Sequence, residues 1–424
     1  MVKGKKQTQK QRNSSSQSKQ TKHSNTTTLT PETLQTILIP KLDVGCDVSI
    51  DRVSNEKQLA QLWAGYGSVN SFTCYLSNGE EVLLVIKRVN PPLASSISHD
   101  RKLRSYHIEA SFYEEVSPII KTIVTEVNVK CAIPYPYLIE SAEIEDDESE
   151  SNGRQNPSFQ FLLSDLRSQF PDECYSIDER RTMTALRWLA SFHAIFWEHE
   201  AILSNQTEGR ADEELKGPKL WEHGGYWHLD TRLEEWGDID SSWLMLKNCA
   251  FAIDERMKAD GKTMKTLVHG DFKAANVMFN VEGTDCGVVD FQYCGTGYGM
   301  KDVVMFIVSS MSSKTLQSLG VKGLLEAYYK ELKRNLTRIG RVSEDRINAV
   351  TISVLESQYK LALLDYVRFM AGWGFWGSNC RYAQDEVRTL LDEIAKKEHE
   401  ALSPHTLSCE QWRSAIKNYF PSLY

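Results

Sequence analysis

The sequence predicts an α+β protein of two unequal lobes: a small antiparallel sheet with one helix, then a larger and mostly helical part. Three observations carry this. Residues 58–90 hold apolar runs broken by a glycine-bearing turn and by Asn78-Gly79, a pair suited to the positive φ angles of a tight hairpin. Beyond about residue 176 the apolar spacing turns helical, as in DERRTMTALRWLASFHAIFWEHE. And 424 residues that are 41% hydrophobic suffice to bury a sizeable core.

In chain order, residues 1–31 form a polar tail, 32–166 the first lobe and 167–424 the second. The opening MVKGKKQTQKQRNSSSQSKQTKHSNTTT has almost no apolar residue to offset the entropy of ordering, so disorder is expected. KQLAQLWAGYGSVNSFTCYLSNGEEVLLVIKRV reads as strand, turn, strand, hairpin, strand. A helix follows, with Leu103, Tyr106, Ala110 and Tyr113 on one face and Ser98 or Asp100 as its cap. Residues 123–141 and 157–166 read as two more strands, separated by the acidic loop EIEDDESESNGRQN. Ser176 and Glu179 make a capping box for the next helix. Further helices are expected near 240–259, 302–318, 321–337, 344–372 and 383–401, with 202–237 and 373–380 as loops.

Charge and composition narrow the function. Residues 1–30 carry seven basic groups and no acidic one, which leaves 42 basic against 57 acidic side chains on the rest. An acidic body disfavours nucleic acid. No stretch approaches the roughly 18 apolar residues of a membrane span, and no secretory leader is evident. Nine scattered cysteines without a CxxC pair fit reduced thiols, hence a cytoplasmic setting, and no Cys/His spacing suggests structural zinc.

The chemistry concentrates in LVHGDFKAANVMFN and GVVDFQ. Asn276 stands five after Asp271, and Val288-Val289 deliver Asp290 fourteen further on. Two carboxylates and an amide on loops between short strands suit phosphoryl transfer from ATP, where catalysis is positioning plus charge compensation by metal. Asn276 and Asp290 are candidate Mg2+ ligands, since magnesium takes oxygen donors and keeps several waters. Asp271 is the candidate general base toward an attacking hydroxyl. Upstream, Lys87 lies between apolar neighbours in VLLVIKRV and requires a partner if buried. Glu109, on the Tyr106/Tyr113 face of the helix, is that candidate, and the pair suits a phosphate anchor. Gly65, Gly67 and Ser68 form a turn whose amides are free to approach phosphates. His269 is expected to brace the loop, His193 to sit satisfied in the core, and Asp302 to cap or brace the metal-bearing loop. The aromatic stretch DYVRFMAGWGFWG over 365–377 reads first as core packing, with Asp365, Arg368, Trp373 and Trp376 kept as candidate acceptor contacts.

This set, from IEASFYEEV and FLLSDL to LRWLASFHAIFW, HGDFKAANVMF and DFQ, resembles the protein-kinase-like fold, and more closely the aminoglycoside phosphotransferase and choline kinase superfamily, especially its ecdysteroid-kinase-like branch. The resemblance spans roughly residues 58–310. It implies Asp271 as catalytic base, Asn276 and Asp290 as magnesium ligands, and Lys87 with Glu109 at the ATP phosphates. It also implies FLLSDL, with Leu163 and Asp165, as the hinge whose backbone meets adenine. Ser164 departs from the Glu common in that branch, and Phe272-Lys273 from its Leu-Trp pair. Lys273 instead matches the Ser/Thr protein kinase loop, which makes a protein kinase one alternative, and a nucleotide-binding pseudokinase-type module the other. Against the first, Asp302 follows Asp290 by only twelve positions, Gln292 replaces the glycine of DFG, and no APE-like segment follows. The expected reaction is transfer of the γ-phosphoryl to a hydroxyl of a small organic molecule.

Overall fold

A computed structural model describes residues 27–45, 47–142, 157–203, 219–398 and 404–421. The expected disorder of residues 1–26 and the acidic loop over 143–156 lie outside these.

The first lobe is a six-stranded antiparallel sheet. Its strands are β1 (Ile50–Val53), β2 (Lys57–Gln61), β3 (Gly67–Leu76), β4 (Glu81–Val89), β5 (Pro136–Ala142) and β6 (Ser158–Ser164), in the order β1-β3-β4-β6-β5 with β2 also on β3. Alternation along β4 sorts its side chains: Leu84 and Ile86 face one side, Lys87 and Val89 extend the pattern onto the other. The first side packs under helix α1 (Pro31–Leu38), capped by Thr30, whose Leu34 and Leu38 join Phe72, Leu84, Ile86 and Leu162 in a small core. Each such leucine contributes about 1.5–3 kcal/mol by leaving water. The other side packs on α2 (Ile97–Ser111), which runs through a π-type turn at Phe112–Val116 into α3 (Ser117–Val127).

The second lobe begins with the short β7 (Asp172–Glu173) and α4 (Glu179–Phe196), then α5 (Glu200–Leu203), α6 (Leu233–Gly237) and α7 (Leu244–Lys258). Small two- and three-stranded ladders follow: β8 (Thr266–Val268), β9 (Val277–Phe279), β10 (Cys286–Val288) and β11 (Gly295–Gly297), with β8 on β11 and β9 between β7 and β10. The helices α8 (Met300–Ser309), α9 (Ser313–Ile339), α10 (Glu344–Ala349), α11 (Ile352–Trp373), α12 (Cys380–Glu398) and α13 (Cys409–Tyr419) complete it. The main hydrophobic core runs from Tyr106, Phe112 and Phe161 of the first lobe into Trp188, Phe272, Phe291 and Phe306 of the second.

Several local expectations are corrected. The residues 123–127 continue a helix, not a strand; Pro118 opens it, and burial of Ile120 overrides the β-branched content of the rest. The helix α2 is capped by Ser96 rather than Ser98 or Asp100, and α4 by Asp178, which accepts from Arg181 N–H, rather than by a Ser176–Glu179 box. The stretch 302–318 breaks at Ser310–Ser312, and 344–372 breaks at Val350–Thr351. The elements α1, β1 and α13 were not expected.

Candidate active site

The structure brings the far-upstream amine and the central carboxylates together. Lys87 Nζ donates to both oxygens of Glu109, at 2.9 and 2.7 Å, and lies 3.3 Å from Asp290 Oδ1. The lysine and glutamate side chains are 8% and 2% exposed, whereas Asp290 is 33% exposed and so borders solvent between the lobes. Burial alone would disfavour the Lys87 ammonium, but Glu109 and Asp290 outweigh it and hold it charged. Burial also pushes the Glu109 carboxyl up, against the opposing pull of Lys87. At Asp290 the ammoniums of Lys87 and Lys273 overcome desolvation and keep the carboxyl below its usual range.

The loop after β8 is held by a buried carboxylate. Asp302, on α8 and fully buried, accepts from His269 N–H at 2.7 Å, Gly270 N–H at 2.9 Å and His193 Nε2 at 3.1 Å. It therefore braces the loop that carries Asp271 and Asn276, not the turn that carries Asp290. His193 also meets Tyr328 Oη at 2.7 Å and is a satisfied core residue. His269 Nε2 reaches Val289 O at 3.1 Å, while its Nδ1 accepts from Asp271 N–H, so it ties this loop to the strand before Asp290. Gly270 has φ +79°, and a Cβ there would stand 2.1 Å from Tyr293 O, so only glycine fits between histidine and aspartate.

Asp271 is 4% exposed, and its Oδ2 accepts from Lys273 Nζ at 2.8 Å and Asn276 Nδ2 at 3.2 Å. Its Oδ1 is buried without a hydrogen-bond partner. Burial raises this carboxyl, and Lys273 partly offsets the rise. Asn276 Nδ2 also donates to Asp271 O at 2.8 Å, which turns its Oδ1 away from that carbonyl. Val289 N–H donates to Asn276 O at 3.0 Å, which ties the residue before Asp290 to the Asn276 backbone. Asp290 itself has φ +70°, a left-handed conformation that costs a non-glycine residue about 1–3 kcal/mol. The donor set is all oxygen, from one carboxylate and one amide, with a neighbouring carboxylate oxygen unpartnered. That set fits a hard divalent cation such as Mg2+, which Asp290 and Asn276 could hold.

The remaining expected residues fall around this centre unevenly. Gly65 (φ +76°) lies at an open turn where a Cβ would meet nothing within 4 Å. Gly67 answers to the sheet, since a Cβ would stand 1.9 Å from Arg88 O, and Ser68 is paired with Gln61 and Arg88. Leu163 pairs with Val85 and Pro136 inside the sheet. The amides of Ser164 and Asp165 are taken by Tyr135 O and Leu83 O, and the Asp165 carboxylate by Arg167. Asp365 and Arg368 form a buried network with Trp227, away from solvent. Trp373 is 56% exposed at the end of α11 and stacks on Phe369.

Sequence reasoning did not single out Tyr226 or Arg232, which stand beside the Asp271 loop. Tyr226, whose N–H donates to Gly270 O, packs edge-on against Tyr293 and Phe369 next to the Asp271 loop. The guanidinium of Arg232 sits 5.6, 5.4 and 5.5 Å from the rings of Tyr226, Phe369 and Trp373. This aromatic cage is thus filled by the protein's own cation, anchored to Tyr226 O at 2.6 Å and Glu235 at 2.9 Å. Elsewhere His223, His228 and Asp230 converge, but the rings stack in parallel and Lys258 takes both Asp230 oxygens, an arrangement poor for a metal.

An antiparallel sheet whose lysine is clamped by a helix glutamate, set over a loop with base-like aspartate, asparagine and a second aspartate, is the two-lobed protein-kinase-like architecture. Within it the chain resembles the aminoglycoside phosphotransferase and choline kinase superfamily, and residues 227–341 match the model of the ecdysteroid kinase-like family. No curated protein sequence matches the chain. Similar solved structures include a microcompartment-associated aminopropanol kinase (14% identity, 88% of this chain and 99% of that one, TM-score 0.44). Others are a putative aminoglycoside phosphotransferase from Ralstonia eutropha (12%, 91% and 98%, 0.39) and a choline/ethanolamine kinase family protein from Mesorhizobium loti (10%, 86% and 93%, 0.33).

Proposed function

We propose that this protein is a small-molecule kinase that uses Mg-ATP and transfers the γ-phosphoryl group to a hydroxyl of an organic acceptor. The observation that carries the reading is Asp271 Oδ1, a buried carboxylate oxygen left without a partner beside the Lys87, Glu109 and Asp290 cluster. An orphaned buried acceptor is costly, and the hydroxyl of a substrate is the donor that would satisfy it.

Each residue then has a task. Lys87, kept charged and pointed by Glu109, binds phosphate oxygens in the cleft. Asn276 and Asp290 hold magnesium, which when bound supplies positive charge to the phosphates. Asp271 accepts the proton of the attacking hydroxyl, and Lys273 orients that carboxylate through its other oxygen. Burial of the loop excludes bulk water from the oxygen that acts as base. A short link between Asp290 and α8 leaves little room for a protein-docking segment, which favours a small acceptor.

The test is a phosphotransfer screen with labelled ATP over hydroxylated metabolites, with Asp271→Asn as control. Transfer that depends on Asp271 supports the reading. Tight Mg-ATP binding without transfer to any acceptor would favour a nucleotide-binding module instead.

A further inference from the structure

Gln292 stands two residues after Asp290, and its side chain spans to the opposite lobe. Its Nε2 donates to Glu109 Oε2 at 3.3 Å, the same oxygen that Lys87 holds at 2.7 Å. Its Oε1 accepts from Ser105 Oγ at 3.2 Å, a hydroxyl that shares its proton with Lys102 O. Its main-chain oxygen is fixed by Trp221 Nε1 at 2.8 Å. The preceding Phe291 stacks flat on Phe112, with ring centres 3.8 Å apart. Ser105, Glu109 and Phe112 are spaced i, i+4, i+7 on the chain, so one stripe of α2 and the turn after it is seized by two consecutive residues of the Asp290 segment. The amide orientation is set by Glu109, because a flipped Gln292 would turn its oxygen toward the carboxylate.

We infer that Gln292 is a positioning residue that latches α2 to the Asp290 segment and so keeps the Lys87–Glu109 pair assembled without a modification or partner. The inference rests on the phosphate-anchor reading of that pair. A glycine at this position would provide no side chain to bridge the lobes, and α2 would be free to move away from the sheet with Glu109. The competent arrangement would then be only one of the populated states, and nucleotide affinity would fall by the fraction lost.

The experiment compares wild type with Gln292→Met, which keeps length and apolar bulk but not the amide. It reads Mg-AMP-PNP affinity by calorimetry, hydrogen exchange over residues 104–111, and the thermal midpoint. The latch predicts about tenfold weaker binding, equivalent to about 1.4 kcal/mol, with faster exchange confined to α2 and little change in the midpoint. In a Glu109→Ala background the same substitution should cost less than twofold, because its partner is already gone. Gln292→Glu, which keeps the shape but sets a second carboxylate against Glu109, should bind more weakly still, and serves if the methionine variant does not fold. Wild-type affinity and exchange in the substituted proteins would overturn the latch. A wild-type protein that binds no Mg-AMP-PNP would instead defeat the phosphate-anchor reading beneath it.

Discussion

Asp302→Asn tests the buried carboxylate that holds the loop leading to Asp271. The carboxylate is fully buried, and its two oxygens accept three hydrogen bonds: His269 N–H and His193 Nε2 on Oδ2, Gly270 N–H on Oδ1. Asparagine has the same shape but only one acceptor oxygen, so whichever way it turns, its NH2 faces a main-chain N–H. One charge-assisted bond, about 1.5–3 kcal/mol, is lost, and a buried donor is left unsatisfied at about 1–3 kcal/mol more. Together these give roughly 2.5–6 kcal/mol, a large share of the about 5–15 kcal/mol that holds a typical domain folded. Urea denaturation followed by tryptophan fluorescence should therefore show a much lower midpoint at unchanged slope. A loss below about 1 kcal/mol would refute the view that this carboxylate sets the loop bearing Asp271.

Asp271→Asn should lower phosphotransfer about 10²- to 10⁴-fold while Mg-AMP-PNP affinity, measured by calorimetry, changes little; retained turnover would remove it as base. Asp290→Ala should weaken nucleotide binding in the presence of Mg2+ but not in its absence, a comparison that calorimetry with and without EDTA makes directly. Because Arg232 fills the aromatic cage, quaternary ammonium alcohols such as choline should be poor acceptors beside neutral polyols in the same screen. The imidazole of His228 is held well below its usual range by burial and by the nearby Lys301, His223 and Lys258. The unfolded chain takes up a proton near pH 6.5 and the folded one does not, so this group removes stability as pH falls below that value, by up to about 1.4 kcal/mol per pH unit. Thermal midpoints measured from pH 7 to 5.5 should fall less steeply in His228→Asn.

The centre of the candidate site was legible because its residues lie close together in the chain. Asp271, Asn276 and Asp290 lie within twenty residues, on loops whose flanking valines and phenylalanines announce short buried strands. Lys87 and Glu109 were legible for a different reason: a cation amid apolar neighbours and an anion on an apolar helix face each demand a partner. What failed was long-range. The elements α1 and β1 are short and depend on distant partners: α1 covers the back of the sheet, and β1 pairs with β3 at its edge. The residues 123–127 carry strand-like side chains but follow a helix-opening proline. The aromatic cluster beside the Asp271 loop draws Tyr226 and Arg232 from a stretch with no periodicity and joins them to Phe369 more than a hundred residues on. Nothing local in DFQ reveals that its glutamine reaches Ser105 and Glu109, 187 and 183 residues upstream.

On the proposed function, the left-handed backbone at Asp290 sets foldability against activity at a single codon. Glycine would occupy that conformation without strain, and Lys87, which loses its 3.3 Å contact to Asp290, would keep both oxygens of Glu109, so the chain would gain stability by giving up the carboxylate. A search for hardier variants that ignores turnover should drift toward glycine here, and one that demands turnover should keep the strained acid.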